Sequence, residues 1–151
     1  LTRQKVVLLD RRGMLAGAEG LRRGGYVLAE AANGTPEVIL IASGSELGII
    51  LEARERLEAE GTPTRVVSLP SWYLFGRQEK DYRDSVLPPE ISKKVSVEAA
   101  STFGWTRWVG ASGSSLGLDH FGASAPSDIL FEKFGFTVED VVEAARNMAT
   151  L

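Results

Sequence analysis

Glu98 closes an alternating run, Lys94-Val95-Ser96-Val97-Glu98, in the apolar company of Val95, Val97 and Ala99. Burial raises a carboxyl pKa and can suit the group to proton transfer. A general acid or base needs a second carboxylate, an imidazole or a nucleophile beside it, and the neighbouring sequence places none there. A hydrogen-bonded structural glutamate is the weightier reading. Asp119-His120 invites comparison with a triad, but adjacent residues do not orient one another as a base and its carboxylate must, and no Gly-x-Ser-x-Gly elbow is present. Asp128 could touch a ligand, yet an acid in the first turn of a helix already answers the helix dipole. No catalytic residue is assigned.

Anion binding is the next chemistry that these residue types allow. In open parallel sheets ligands lie beyond the carboxyl ends of strands, where helix N-termini present free N–H groups. The serine-bearing turns Ser43-Gly44-Ser45 and Ser68-Leu69-Pro70-Ser71 fall at that edge. Ser43, Gly44, Ser45 and Ser71 therefore form a candidate phosphate or carboxylate site. Capping explains the first turn equally well, because Ser43 and Glu46 stand at capping-box spacing and the lysine and glycine spacing of a phosphate-binding loop is missing. Arg3 is the residue best suited to a substrate phosphate, since its planar fork donates two parallel charged hydrogen bonds.

Arg3 belongs to an uneven charge distribution. Residues 1–24 carry Arg3, Lys5, Arg11, Arg12, Arg22 and Arg23 against Asp10 and Glu19, whereas the whole chain has a net charge of −3. The arm lacks interleaved aromatics, so a linker or a segment lying against another domain is expected rather than a nucleic-acid contact. Trp72, Trp105 and Trp108 read as core or interface. There is no cysteine and one histidine, His120, which argues against disulfides and against a thiolate or imidazole metal site. No run approaches the roughly 18 to 20 apolar residues that span a bilayer, and no charged-then-apolar leader is seen, so a cytoplasmic location is expected. Leu1 in place of a start methionine suggests a piece of a longer polypeptide.

The elements that must position these residues follow from periodicity. Tyr26 to Glu30 is a short strand pattern, followed by the turn signal Asn33-Gly34-Thr35-Pro36. Val38 to Ala42 is an unbroken apolar run, as a parallel strand covered on both faces requires. Leu47, Ile50, Leu51 and Leu57 keep a helical face that Arg54 interrupts. Gly61 suits a left-handed cap, and Pro63 stops continuation. Thr64 to Leu69 supplies the next strand. Residues 71–89 are mixed, with a short helical turn at Trp72, Leu74 and Phe75. Lys94 to Glu98 reads as a strand, Arg107-Trp108-Val109-Gly110 as a weaker one, and the glycine and serine cluster at 110–117 as a loop. Pro126 opens a helix with Ile129, Leu130 and Phe134 on its buried side, and Gly135 ends it. Thr137 caps a last helix built on Val138, Val141, Val142, Ala145, Met148 and Ala149. Alternating strands and helices imply an α/β domain with a mostly parallel sheet between two helical layers.

Several segments are jointly specific. Lys94-Val-Ser-Val-Glu-Ala-Ala, Phe103-Gly104-Trp105-Thr106-Arg107-Trp108-Val109-Gly110 and Asp119-His-Phe-Gly-Ala-Ser-Ala-Pro-Ser-Asp-Ile-Leu130 occur in this order. They are joined by Ser71-Trp72-Tyr73-Leu74-Phe75 and Tyr82-Arg83-Asp84-Ser85-Val86-Leu87-Pro88. Together they resemble the carboxy-terminal domain of transketolases. The resemblance implies a three-layer α-β-α fold with a five-stranded sheet over residues 25–151. Residues 1–24 would then be the tail of the preceding pyrimidine-binding domain and a linker. Leu1-Thr2-Arg3-Gln4 resembles the motif whose arginine binds the phosphate of the sugar substrate.

For the full enzyme the resemblance implies transfer of a two-carbon ketol unit between sugar phosphates, with thiamine diphosphate and Mg2+, in a homodimer. The motifs that hold the cofactor and metal belong to the other domains, so this chain is expected to bind neither, to be inactive alone, and to serve structure, assembly or regulation. Two other readings stay open: an anion- or nucleotide-binding regulatory module on the Ser43 and Ser71 turns, or the same domain from dihydroxyacetone synthase or another thiamine-diphosphate enzyme. Neither nucleic acid nor membrane is an expected partner.

Overall fold

The computed structural model describes residues 6–148. Strands β1 (Tyr26–Ala29) and β2 (Val38–Ala42) lead into helix α1 (Leu47–Ala59) and strand β3 (Thr64–Ser68). Helices α2 (Trp72–Gly76) and α3 (Lys80–Val86) precede β4 (Lys94–Val97), and α4 (Thr106–Val109) precedes β5 (Ser114–Leu116). Helices α5 (Ser127–Lys133) and α6 (Val138–Arg146) complete the order. The sheet runs β1-β3-β2-β4-β5 and is parallel at every junction except β1 with β3. This is the expected α/β fold with a mostly parallel five-stranded sheet.

Alternation along the central strands builds two cores. Val38, Leu40 and Ala42 of β2, with Val66, Val95 and Val97, meet Ile50, Ala53 and Leu57 of α1 and Val141, Val142 and Ala145 of α6. Ile39 and Ile41 point to the opposite face with Val67, Leu69 and Phe75, where Val86, Trp105, Trp108 and Val109 cover them. β2 is buried at all its positions, which is why its sequence is apolar without interruption.

Local chemistry sets the boundaries. Beyond α1 the Gly61 N–H donates to the Glu58 carbonyl at 3.0 Å and the Thr62 N–H to that of Leu57 at 2.8 Å. With Gly61 at φ +85°, this is the Schellman pattern, and it frees the chain to enter β3. Arg54, which broke the apolar stripe, is 7% exposed and donates to the carbonyls of Thr64 at 3.1 Å and Glu30 at 2.6 Å. It stays on the buried face because it satisfies backbone oxygens there. Thr137 caps α6 in a reciprocal box with Asp140.

Several expectations are corrected. Arg107 to Val109 is helical, inside α4, and Gly104 at φ +86° turns the chain into it. The glycine and serine loop at 110–117 contains β5, whose Ser115 accepts a 2.7 Å hydrogen bond from Ser96. Residues 71–89 hold two helices, with Ser71 as N-cap of the first. Ile129 is 52% exposed and lies off the buried side of α5. Ser43 does not cap α1, because the helix starts after Glu46.

The residues before β1 lie against the domain. Arg11 donates to Tyr26 Oη at 3.0 Å, Ala16 donates its N–H to the Leu28 carbonyl at 2.8 Å, and a 3-10 turn spans Ala18–Arg23. At Gly24 a Cβ would stand 2.5 Å from both Phe75 N and Ser71 O, and φ is +80°. Only glycine lets the chain pass this close to α2.

Candidate functional site

From β2 the chain crosses through α1 to β3 on one side, then returns past β2 to β4 on the other. The strand order therefore reverses between β2 and β4, and ligands in open α/β sheets favour the crevice at the carboxyl ends of such a pair. Ser43, the first residue after β2, and Glu98, the first after β4, meet there. Ser43 Oγ donates to Glu98 Oε2 at 2.5 Å. Glu46 joins them: its Oε1 accepts from Ser45 Oγ at 3.0 Å and from the Ala99 N–H at 3.3 Å. Glu46 is 3% exposed, so a second carboxylate sits enclosed beside Glu98.

Burial raises the Glu98 pKa, the Ser43 hydrogen bond opposes that rise, and the charge of Glu46 adds to it. Glu98 therefore keeps its proton to a higher pH than an ordinary glutamate, with Ser43 Oγ donating to it and the Ala99 N–H donating to Glu46. Among the described residues no nucleophile or imidazole completes an acid–base set. His120 Nδ1 engages the Phe121 carbonyl at 2.8 Å, and its ring packs 5.1 Å from that of Phe134. Asp119 accepts from Ser101 Oγ at 2.9 Å, the Thr102 N–H at 2.9 Å and Thr102 Oγ1 at 2.6 Å. These bonds hold its carboxyl below the ordinary aspartate range and turn it toward the loop after β4 instead of toward His120.

The serine turns are occupied by their own structure. Ser43 serves Glu98, Ser45 serves Glu46, and Ser71 Oγ accepts from the Leu74 N–H at 3.3 Å. An anion approaching Ser43, Gly44 and Ser45 would face two carboxylic groups. The same donor set does not fit thiamine diphosphate with its metal: the crevice offers acids where a diphosphate needs cations or free N–H groups. Among the described residues no group of three His, Cys, Asp or Glu could hold a metal ion. Asp128 lies in the first turn of α5 and borders a cavity of about 380 Å³ that Glu52, Phe131 and Val7 also line. Arg3 lies outside the described residues.

The tryptophans form one cluster, with Trp72 edge-on to Trp105 at 4.9 Å and to Trp108 at 6.2 Å. Trp105 and Trp108 are buried, as core residues should be. The carboxyl edge carries aromatics of the opposite kind: Phe103 is 90% exposed and Phe121 is 99% exposed. Both stand on loops that Asp119 fastens together through Ser101 and Thr102.

Residues 24–137 match the family described as Transketolase-like TK C-terminal domain. The chain belongs to that family. Among curated relatives, "Transketolase 10" of Craterostigma plantagineum is 50% identical over 150 residues, covering 98% of this chain and 22% of the relative. The transketolase of Geobacillus stearothermophilus is 47% identical over 146 residues, covering 97% of this chain and 22% of the relative. In three dimensions the chain is similar to transketolase from Leishmania mexicana, with a TM-score of 0.78 and 37% identity over 89% of this chain and 20% of that one. The chain thus spans about a fifth of the length of these transketolases. The regulatory-module reading gains no support from these matches. No helix among the described residues is long and apolar enough to cross a membrane.

The partnership of Glu46 with Glu98 escaped sequence reasoning. Its signal was present as two acids, each close behind a strand that the pattern makes central and parallel.

Proposed function

We propose that this chain is the assembly domain of a transketolase-type enzyme, which moves a two-carbon ketol unit between sugar phosphates using thiamine diphosphate and Mg2+. The carboxyl edge carries this reading. Its crevice is acidic and spoken for by internal hydrogen bonds, while Phe103 and Phe121 project from braced loops beside it. Exposed aromatics on an ordered frame suit a surface that other domains and a second subunit cover. On this reading the chain binds neither cofactor nor metal alone, and Arg3 contacts the sugar phosphate only in the complete homodimer. A cytoplasmic location belongs to the same proposal.

The purified chain, given thiamine diphosphate, Mg2+ and sugar phosphates, should show no ketol transfer and no coenzyme uptake by calorimetry. Mixed with the remainder of its parent polypeptide, it should restore transfer that neither part has. Turnover by the chain alone would refute the assembly role, and failure of the mixture to gain activity over the remainder would count against it as well.

A further inference from the structure

At the amino edge of the sheet, beneath α3 and α4, Arg83, Lys94 and Arg107 line one cavity of about 490 Å³. Asp84 is the acid in its wall, and Lys80 takes that carboxylate. Lys94 is 6% exposed and donates to the Ile91 carbonyl, leaving its charge without a carboxylate in ion-pair reach among the described residues. Arg83 donates to the Gly76 carbonyl at 2.9 Å, and Arg107 lays its guanidinium 4.7 Å from the centre of the Trp108 ring. Neither is ion-paired among the described residues. Trp108, 8% exposed, also lines the cavity, and its indole Nε1 is buried without an acceptor.

A buried ammonium without a counter-ion is costly, as is an orphaned donor. Burial holds Lys94 below the usual lysine range, with Glu90 offsetting part of the effect. Three cations around one cavity are the complement of a group carrying nearly two negative charges and several acceptor oxygens, and a phosphate monoester is such a group. Leu87 and Pro89 add an apolar wall for the organic remainder. We propose that this cavity binds the phosphate group of a small organic phosphate, with Arg83, Lys94 and Arg107 opposing its charge. The site lies at the end of the sheet away from Ser43 and Glu98, and it does not depend on the ketol-transfer reading.

Two-dimensional NMR of the 151-residue chain tests it. The indole N–H of Trp108, assigned through Trp108→Phe, and the Arg107 Nε–H are followed while inorganic phosphate and then glycerol phosphate are added at chloride-matched ionic strength. Both probes should move the signals saturably, with Kd in the millimolar range or tighter. Acetate at the same ionic strength should not move them. Lys94→Met, which removes the charge and keeps the stem, and Arg107→Ala, which alters an exposed position, should each weaken binding by about tenfold or more. Signal dispersion reports that each variant is folded. A drift without saturation, an equal response to acetate, or unchanged affinity in either folded variant would overturn the proposal.

Discussion

Arg65 holds both carboxylate oxygens of Glu30, Nε to Oε1 at 2.9 Å and a terminal nitrogen to Oε2 at 2.7 Å. The other terminal nitrogen donates to the carbonyls of Ser85 at 2.8 Å and Val86 at 3.1 Å. One side chain from the middle of the sheet thereby fastens the end of β1 to the end of α3. The Arg65 side chain is 9% exposed and that of Glu30 42%, so solvent screens the acid but not the base.

Glu30→Ala leaves that guanidinium enclosed with carbonyls alone. Removing one partner of a fully buried pair costs about 3–5 kcal/mol, and the exposure of Glu30 reduces this to about 1–3 kcal/mol. Urea unfolding should register the loss, and Glu30→Gln, which keeps one acceptor, should lose less. Equal stability of Glu30→Ala and the parent would show that the ion pair contributes nothing.

Glu98 gives a pH signature. Its pKa is raised in the fold, so its contribution is complete in acid and is lost as pH climbs through the raised value. Glu98→Gln keeps an acceptor for Ser43 and removes the repulsion with Glu46. As pH rises above the ordinary glutamate pKa of about 4.3, the stability of the variant relative to the parent should therefore increase. A difference that stays flat, or shrinks toward high pH, contradicts this assignment.

Thr137 and Asp140 cap α6 reciprocally: the Asp140 N–H donates to Thr137 Oγ1 at 3.2 Å, and the Thr137 N–H to Asp140 Oδ2 at 3.1 Å. Thr137→Ala should cost about 1 kcal/mol. Thr137→Ser should recover most of it. Thermal unfolding that ranks alanine level with serine would remove the cap from the account.

Gly24 and Gly34 separate backbone strain from crowding. Both have φ near +80°, but a Cβ at Gly34 meets nothing within 4 Å, whereas at Gly24 it strikes backbone atoms at 2.5 Å. Gly34→Ala should cost only the left-handed penalty of about 1–2 kcal/mol. Gly24→Ala should cost clearly more, because α2 must move. Comparable losses from chemical denaturation would mean that the passage beside Phe75 is looser than it looks.

Much of the fold was legible because its signals are local. The run Val38 to Ala42, Gly61 before Pro63 and Thr137 ahead of an apolar face each announce an element by their own spacing. β5 was hidden because it is three residues long and pairs a serine with Ser96, so no apolar alternation marks it. α4 was misread because four residues are too few to show a helical period. The switch-point site was half visible: strand ends pointed to Ser43 and Glu98, but spacing assigned Glu46 to capping. Its contact with Ala99 spans 53 positions, and only the sheet order creates it. Arg54 was visible as an anomaly, and its carbonyl partners lie 10 and 24 positions away.

The Ala16 N–H that donates to the Leu28 carbonyl covers an open strand edge. β1 is the outermost strand on its side, and the preceding segment occupies part of its free rim. At the opposite rim β5 is safe through brevity. A protease that trimmed the chain ahead of Ala18 would strip Leu9 and Leu15 from the margin of one core, leave the buried residues of both in place, and uncover a template for strand addition, so the clipped molecules would stack into oligomers without unfolding.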